Sequence, residues 1–130
     1  MIERLSGDPP SPYEGQFGFS RTIRVGGDWV YVGGTTSVDE DGAVVGDSPY
    51  EQTVEILRKV RHELARFGAT VEQIVQIHIY VTDISRYEEV GRAHGEVFSS
   101  IRPLMTMVGV NGLVDPRMLV EIEAVAHLGA

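Results

Sequence analysis

Two glutamates stand near the end of the chain's last apolar run, MLVEIEAVA, at 118–126. On a strand, alternate side chains share a face, so Glu121 and Glu123 project together, roughly 7 Å apart. Paired carboxylates at that spacing suit acid–base work. Leu119 and Val125 flank them on the same face, and partial burial there raises a glutamate's pKa toward the range of a usable base. Two solvated charges are the plainer alternative. His94 lies between Gly91 and Gly95 in a stretch with helical spacing. A mid-helix glycine costs ~1 kcal/mol against alanine. The pair therefore implies close helix-to-sheet packing, or room for a ligand beside His94. Arg102 precedes Pro103 at the mouth of a strand, where a guanidinium can hold a carboxylate bidentately; a surface ion pair would explain it equally well. Gly33-Gly34-Thr35 ends another strand and could offer backbone N–H groups to an anion, but it lacks the phosphate-loop pattern. His62, His78, His94 and His127 have no ligand-like spacing, so no metal site and no cofactor are expected.

These residues need elements to position them. Residues 1–18 carry three prolines and read as an extended arm. Thr22 to Val25 and Trp29 to Gly33, joined by Gly26-Gly27-Asp28, form a hairpin signature. VDEDGAVVG suggests a second, weaker turn. Ser48-Pro49-Tyr50-Glu51 opens a helix as a capping box with proline at the first turn. Val54, Leu57, Val60, Leu64 and Phe67 follow at helical spacing, and Gly68 stops it. IVQIHIYVT alternates, with Val75, Ile77, Ile79 and Val81 on one face and Gln76, His78, Tyr80 and Thr82 on the other. Ser85-x-x-Glu88 reads as a second capping box, for a helix running to Phe98. Strands follow over 104–110 and 118–126. Two helices cannot cover both faces of a five- or six-stranded sheet, so an α+β two-layer sandwich is expected, with both helices on one face. The last strand is partly apolar on both faces, so the open face is expected to be buried by self-association.

The 130 residues suit one domain, 1–130. There is no cysteine, so no disulfide framework or thiolate site. No apolar leader and no run of about 18 apolar residues is present, so a cytoplasmic protein without membrane contact is expected. The net charge is −8, and Lys59 is the single lysine. Phosphate backbones are bound mainly by Lys and Arg, so no nucleic-acid partner is expected.

The strand order, the Gly33-Gly34 hairpin end, VTDI at 81–84, the Pro103 strand and the terminal VEIEAVA together resemble the reactive intermediate deaminase family, also called Rid, YjgF or L-PSP endoribonuclease. The resemblance implies a chorismate-mutase-like fold and a homotrimer with small-molecule clefts between subunits. Its deaminating branch hydrolyses enamines and imines to a keto acid and ammonia. There an arginine in a Pro-x-Arg-Ser motif holds the substrate carboxylate, and a last-strand glutamate helps to position water. That motif falls on Pro103-Leu104-Met105-Thr106, so the arginine position is Met105. The glutamate is kept as Glu121. A helix asparagine falls on Gly91, a serine on Gly33, and an aromatic on Phe19 or Ser20. The expected site is therefore Glu121 with Met105, Thr106, Gly33, Gly34, Thr35, Gly91, His94, Arg102 and Phe19 around it. A thioether cannot donate a hydrogen-bond pair, so a less anionic ligand is expected. The alternatives are a deaminase anchored by Arg102 and a non-enzymatic binding protein.

Overall fold

The structure is a computed structural model that describes residues 1–129. Its elements are β1 (Ile2–Leu5), α1 (Pro12–Phe17), β2 (Thr22–Val25), β3 (Trp29–Thr35), α2 (Pro49–Ala65), β4 (Ile74–Val81), α3 (Tyr87–Phe98), β5 (Leu104–Gly109) and β6 (Val120–His127). The six strands form one sheet in the order β1-β2-β3-β6-β4-β5. Only β4 and β5 run parallel; the other neighbours are antiparallel. The last strand is thus inserted at the centre of the sheet. No described helix is long and apolar enough to cross a membrane.

The α+β sandwich follows from which faces are apolar. Val30, Val32, Ile77, Ile79, Val81, Val120, Ile122, Ala124 and Ala126 form the buried face of the sheet. Ile56, Leu57, Val60 and Leu64 of α2, with Val90 and Phe98 of α3, share one core with it. Each fully buried side chain of this size contributes roughly 1.5–3 kcal/mol. The Ser48 hydroxyl accepts from the Glu51 N–H and Pro49 occupies the first turn, as the sequence implies. Gly26 and Gly27 take φ of 65° and 85° in the β2–β3 turn, conformations that favour glycine.

Several expectations are corrected. Residues 1–18 are not an extended arm. Ile2–Leu5 pairs with β2 as an edge strand, and Ser11 caps a short helix whose Glu14 completes a capping box. The sixth strand comes from there, whereas the 38–45 turn holds only an isolated Val38–Val44 bridge. Val54 is 44% exposed, and Gln52 takes its place in the buried stripe of α2. Val75 does not join Ile77: a register irregularity between Ile74 and Gln76 turns Ile74 inward and Val75 outward. Asp83, not Ser85, is the cap, accepting from the Ser85 N–H ahead of a short 3-10 turn at Ile84–Arg86.

Buried Gln52 ties the loops to the core. Its Nε2 donates to the carbonyls of Gly46 (3.1 Å) and Arg117 (2.9 Å), and its Oε1 accepts from the Leu119 N–H (2.8 Å). Removing that amide leaves buried partners unpaired, at ~1–3 kcal/mol each. Gln52→Ala is expected to lose about 2–3 kcal/mol in urea unfolding. Val54→Ala should stay within about 0.5 kcal/mol. Equal losses would contradict this division of α2.

Candidate functional site

Glu121 lies on the open face of β6, directly across from Tyr80 of β4. Its carboxylate is seated on a glycine. A Cβ placed on Gly34 would come within 2.5 Å of Glu121 Oε2, so a side chain at 34 would displace that oxygen. Burial pushes the Glu121 pKa up; the charge of Arg21 pulls it down, and Glu123 raises it a little further. The partial burial expected from Leu119 and Val125 is therefore present, and it comes with a glycine seat.

Arg21 was not singled out in the sequence. It donates from Nη1 to the Gly34 carbonyl (3.0 Å) and from Nη2 to Thr35 Oγ1 (3.2 Å). The Thr35 hydroxyl in turn donates to the Gly33 carbonyl (2.8 Å). Nearby, Lys59 of α2 donates to the carbonyls of Thr36 (2.5 Å) and Val38 (2.7 Å). Burial, with the charge of Arg21 next, lowers its pKa to about 8.

A second polar cluster shares the open face with Glu121. Tyr80 Oη donates to Glu123 Oε1 (2.6 Å), which also lies 3.3 Å from His78 Nδ1. Gln76 Nε2 and His78 Nε2 are 3.1 Å apart. The hydrogen bond to Glu123 raises the Tyr80 pKa. The alternation of β4 already set Gln76, His78 and Tyr80 on one face. What it lacked was the pairing with β6 that brings Glu123 to them.

The other expected site residues divide. Thr106 pairs with His78 and so faces the same side as Glu121 and Glu123. Met105, 42% exposed on edge strand β5, pairs with Ile77, whose partner on β6 is Ala124. Ladder partners share a face, so Met105 lies on the side opposite Glu121. One protomer does not bring the two together. Thr35 is fully buried, with its hydroxyl used within the fold, so it does not line an open cleft. The Gly33 N–H is taken by the Arg21 carbonyl (2.8 Å) and is not free for an anion. His94 is buried against Phe98, ring centroids 4.6 Å apart, and burial lowers its pKa. Its Nε2 has no hydrogen-bond partner among the described residues. His94 is thus part of the α3 core face. Gly91 and Gly95 have no atoms within 4 Å of an added Cβ, which overturns the close-packing explanation for them. Arg102 is exposed at φ 62°, and its N–H closes the end of α3 on the Phe98 carbonyl (2.8 Å). Phe19 is also exposed.

Two shallow clefts lie elsewhere, at the start of α2. One of about 260 Å³ is lined by Val44, Gly46, Asp47, Gln52, Arg117 and Leu119. The other, of about 330 Å³, runs along Tyr50, Val54 and Glu55. Neither includes Glu121 or Met105.

Comparison with known proteins decides the family. The Endoribonuclease L-PSP family model matches residues 13–128. The chain belongs to that family. It is similar to the uncharacterized protein SCO2049 of Streptomyces coelicolor, at 38% identity over 120 residues, covering 92% of this chain and 89% of that one. It is 36% identical over 101 residues to the 3-aminoacrylate deaminase RutC of Acinetobacter baylyi, covering 76% and 79% of the two chains. The crystal structure of Rv2704 from Mycobacterium tuberculosis, described as a YjgF/YER057c/UK114 family member, superposes with a TM-score of 0.86 at 41% identity, over 98% and 99% of the two chains. The L-PSP fold expected from the sequence is thus the fold observed.

The raised Glu121 pKa carries a stability consequence. The folded state binds this proton more tightly than the unfolded chain, so the stabilisation is present below the ordinary value of 4.5 and lost as pH rises through the folded value. Glu121→Gln removes the charge at neutral pH. Its stability relative to the parent is expected to be greater at pH 7 than at pH 4, measured by thermal unfolding at both. A difference that does not change with pH would contradict the buried-carboxylate reading.

Proposed function

We propose that this L-PSP family protein is a homotrimer whose subunit clefts hydrolyse a small imine or enamine, with Glu121 as the proton acceptor for the attacking water. The observation that carries the reading is the half-buried carboxylate of Glu121 on Gly34, raised in pKa by burial. A base works best when its pKa approaches the operating pH. The sheet supports assembly: Trp29, Tyr31, Val75, Leu104 and Val108 are exposed apolar side chains, and all but Val75 share the open face by ladder register. Because Met105 and Glu121 lie on opposite faces of one protomer, a cleft that uses both takes them from different copies.

The chemistry balances without a cofactor. Glu121 accepts a proton from water as the water oxygen bonds to the imine carbon. The proton passes to nitrogen, giving a carbinolamine. The hydroxyl proton then passes by way of Glu121 to the amino group as the C–N bond breaks, releasing ammonia and leaving a carbonyl. An enamine enters the same sequence once a proton has moved from its nitrogen to its β-carbon, which makes it the isomeric imine. RutC, whose name specifies 3-aminoacrylate, makes an enamine acid a reasonable substrate class. A ligand at Glu121 meets the Thr106 hydroxyl of the same protomer and, from a neighbouring copy, the Met105 thioether, so the part of it that faces these two side chains is uncharged. Ribonuclease activity is not favoured: a net charge of −8 is poorly suited to a phosphate backbone.

The test generates 2-imino acids in situ with an amino-acid oxidase, and 3-aminoacrylate separately, and follows their decay. The parent protein is expected to accelerate 3-aminoacrylate loss more than 2-imino acid loss. Glu121→Gln should lower the rate about 10²-fold or more, and Met105→Arg should raise the rate on 2-imino acids. Full activity in Glu121→Gln would remove Glu121 from the chemistry. Ligand-dependent thermal shifts without any turnover would favour a binding protein.

A further inference from the structure

We infer that Arg21 is the anion anchor of the Glu121 site, holding the carboxylate of a small oxo, imino or enamine acid from the β2–β3 side. This deepens the proposed function and rests on it for the location of the ligand.

Arg21 is fixed at both ends. Its N–H donates to the Leu5 carbonyl (3.0 Å), and its own carbonyl accepts from the Gly33 N–H (2.8 Å), so the backbone is held between β1 and β3. Its Cγ passes over Gly7, where a Cβ would come within 2.8 Å. The guanidinium is aimed by Gly34 and Thr35. A cation ordered before the ligand arrives loses less freedom on binding.

It forms no ion pair, and it acts on the Glu121 carboxylate only across the site. Of the half-buried arginines, Arg24 pairs with Glu3 and Arg66 with Glu63. Arg21, the third, has no carboxylate within 4.0 Å among the described residues. It donates only to a carbonyl and a hydroxyl, so three of its five N–H donors remain. In a chain with 19 acidic residues, this is an unusual place to leave a partly desolvated cation. Lys59 adds to the positive field, and the two cations repel each other. A bound anion relieves that repulsion.

Gly34 joins the two halves of the site. Its carbonyl holds Arg21, and its bare Cα leaves room for the Glu121 carboxylate. A guanidinium and a base therefore stand either side of one glycine. A small acid with its carboxylate on Arg21 would present its neighbouring carbons to Glu121. This arrangement offers a cation just ahead of β2 where β5 offers only Met105.

The test measures binding of pyruvate and of its neutral amide, pyruvamide, by calorimetry on the full assembled protein. The parent is expected to prefer pyruvate by about 10–100-fold, the range set by a charge-assisted hydrogen bond. Arg21→Met should abolish the preference while leaving pyruvamide affinity intact, which also shows that the variant is folded. Arg21→Lys should restore part of it, and Arg102→Ala should keep it in full. A preference retained in Arg21→Met, lost in Arg102→Ala, or absent from the parent overturns the proposal. Glu121→Gln separates this from the proposed reaction: an Arg21-dependent preference with no Glu121-dependent turnover keeps the anchor and removes the hydrolase.

Discussion

A carboxylate held half out of water, against a backbone with no side chain, is the constraint around which this site is organised. Glu121 reaches that position because β6 runs through the centre of the sheet, with β3 on one side and β4 on the other. On the β3 side, the ladder slips between Val32 and Thr35, at Gly33 and Gly34. The slip turns the Gly34 carbonyl and the Thr35 hydroxyl toward Arg21, and the missing side chain at Gly34 admits Glu121 Oε2. Burial raises the pKa of the carboxyl while Arg21 restrains the rise, leaving a base stronger than a solvated glutamate and still able to ionise.

The sheet is two-faced, and the faces have different work. Under α2 and α3 the side chains are aliphatic and closed, and His94 belongs to that side. The opposite face mixes exposed aromatic and aliphatic side chains with the Gln76–His78–Glu123–Tyr80 cluster. Such a surface is more apolar than solvent exposure explains, and the polar groups of that cluster are partnered among themselves. Both properties suit burial against another copy of the chain.

Much of the fold was legible because it rested on local rules. Ser48 and Pro49 start α2, two glycines turn the β2–β3 hairpin, and the alternation of β6 separates Val120, Ile122 and Ala124 from Glu121 and Glu123. β1 was hidden because Ile2–Leu5 is a four-residue edge strand with two charges, and α1 because prolines outweighed the Ser11–Glu14 capping box. The inward turn of Ile74 depends on a bulge, which periodicity cannot reveal. In the site, Glu121 was legible from its neighbours. Arg21 was not: a lone arginine in FSRT carries no motif, and its role depends on a slip in a strand a dozen residues away. His94 and Thr35 suggested ligand contacts by type, but tertiary packing buries both.

The most direct measurement is a carbon-detected NMR titration of the Glu121 carboxyl, in the parent protein and in Arg21→Met. The account predicts a midpoint above the ordinary glutamate value in the parent and a further rise when the guanidinium is removed. A Glu121 that titrates at the ordinary value, and does not respond to loss of Arg21, would contradict it.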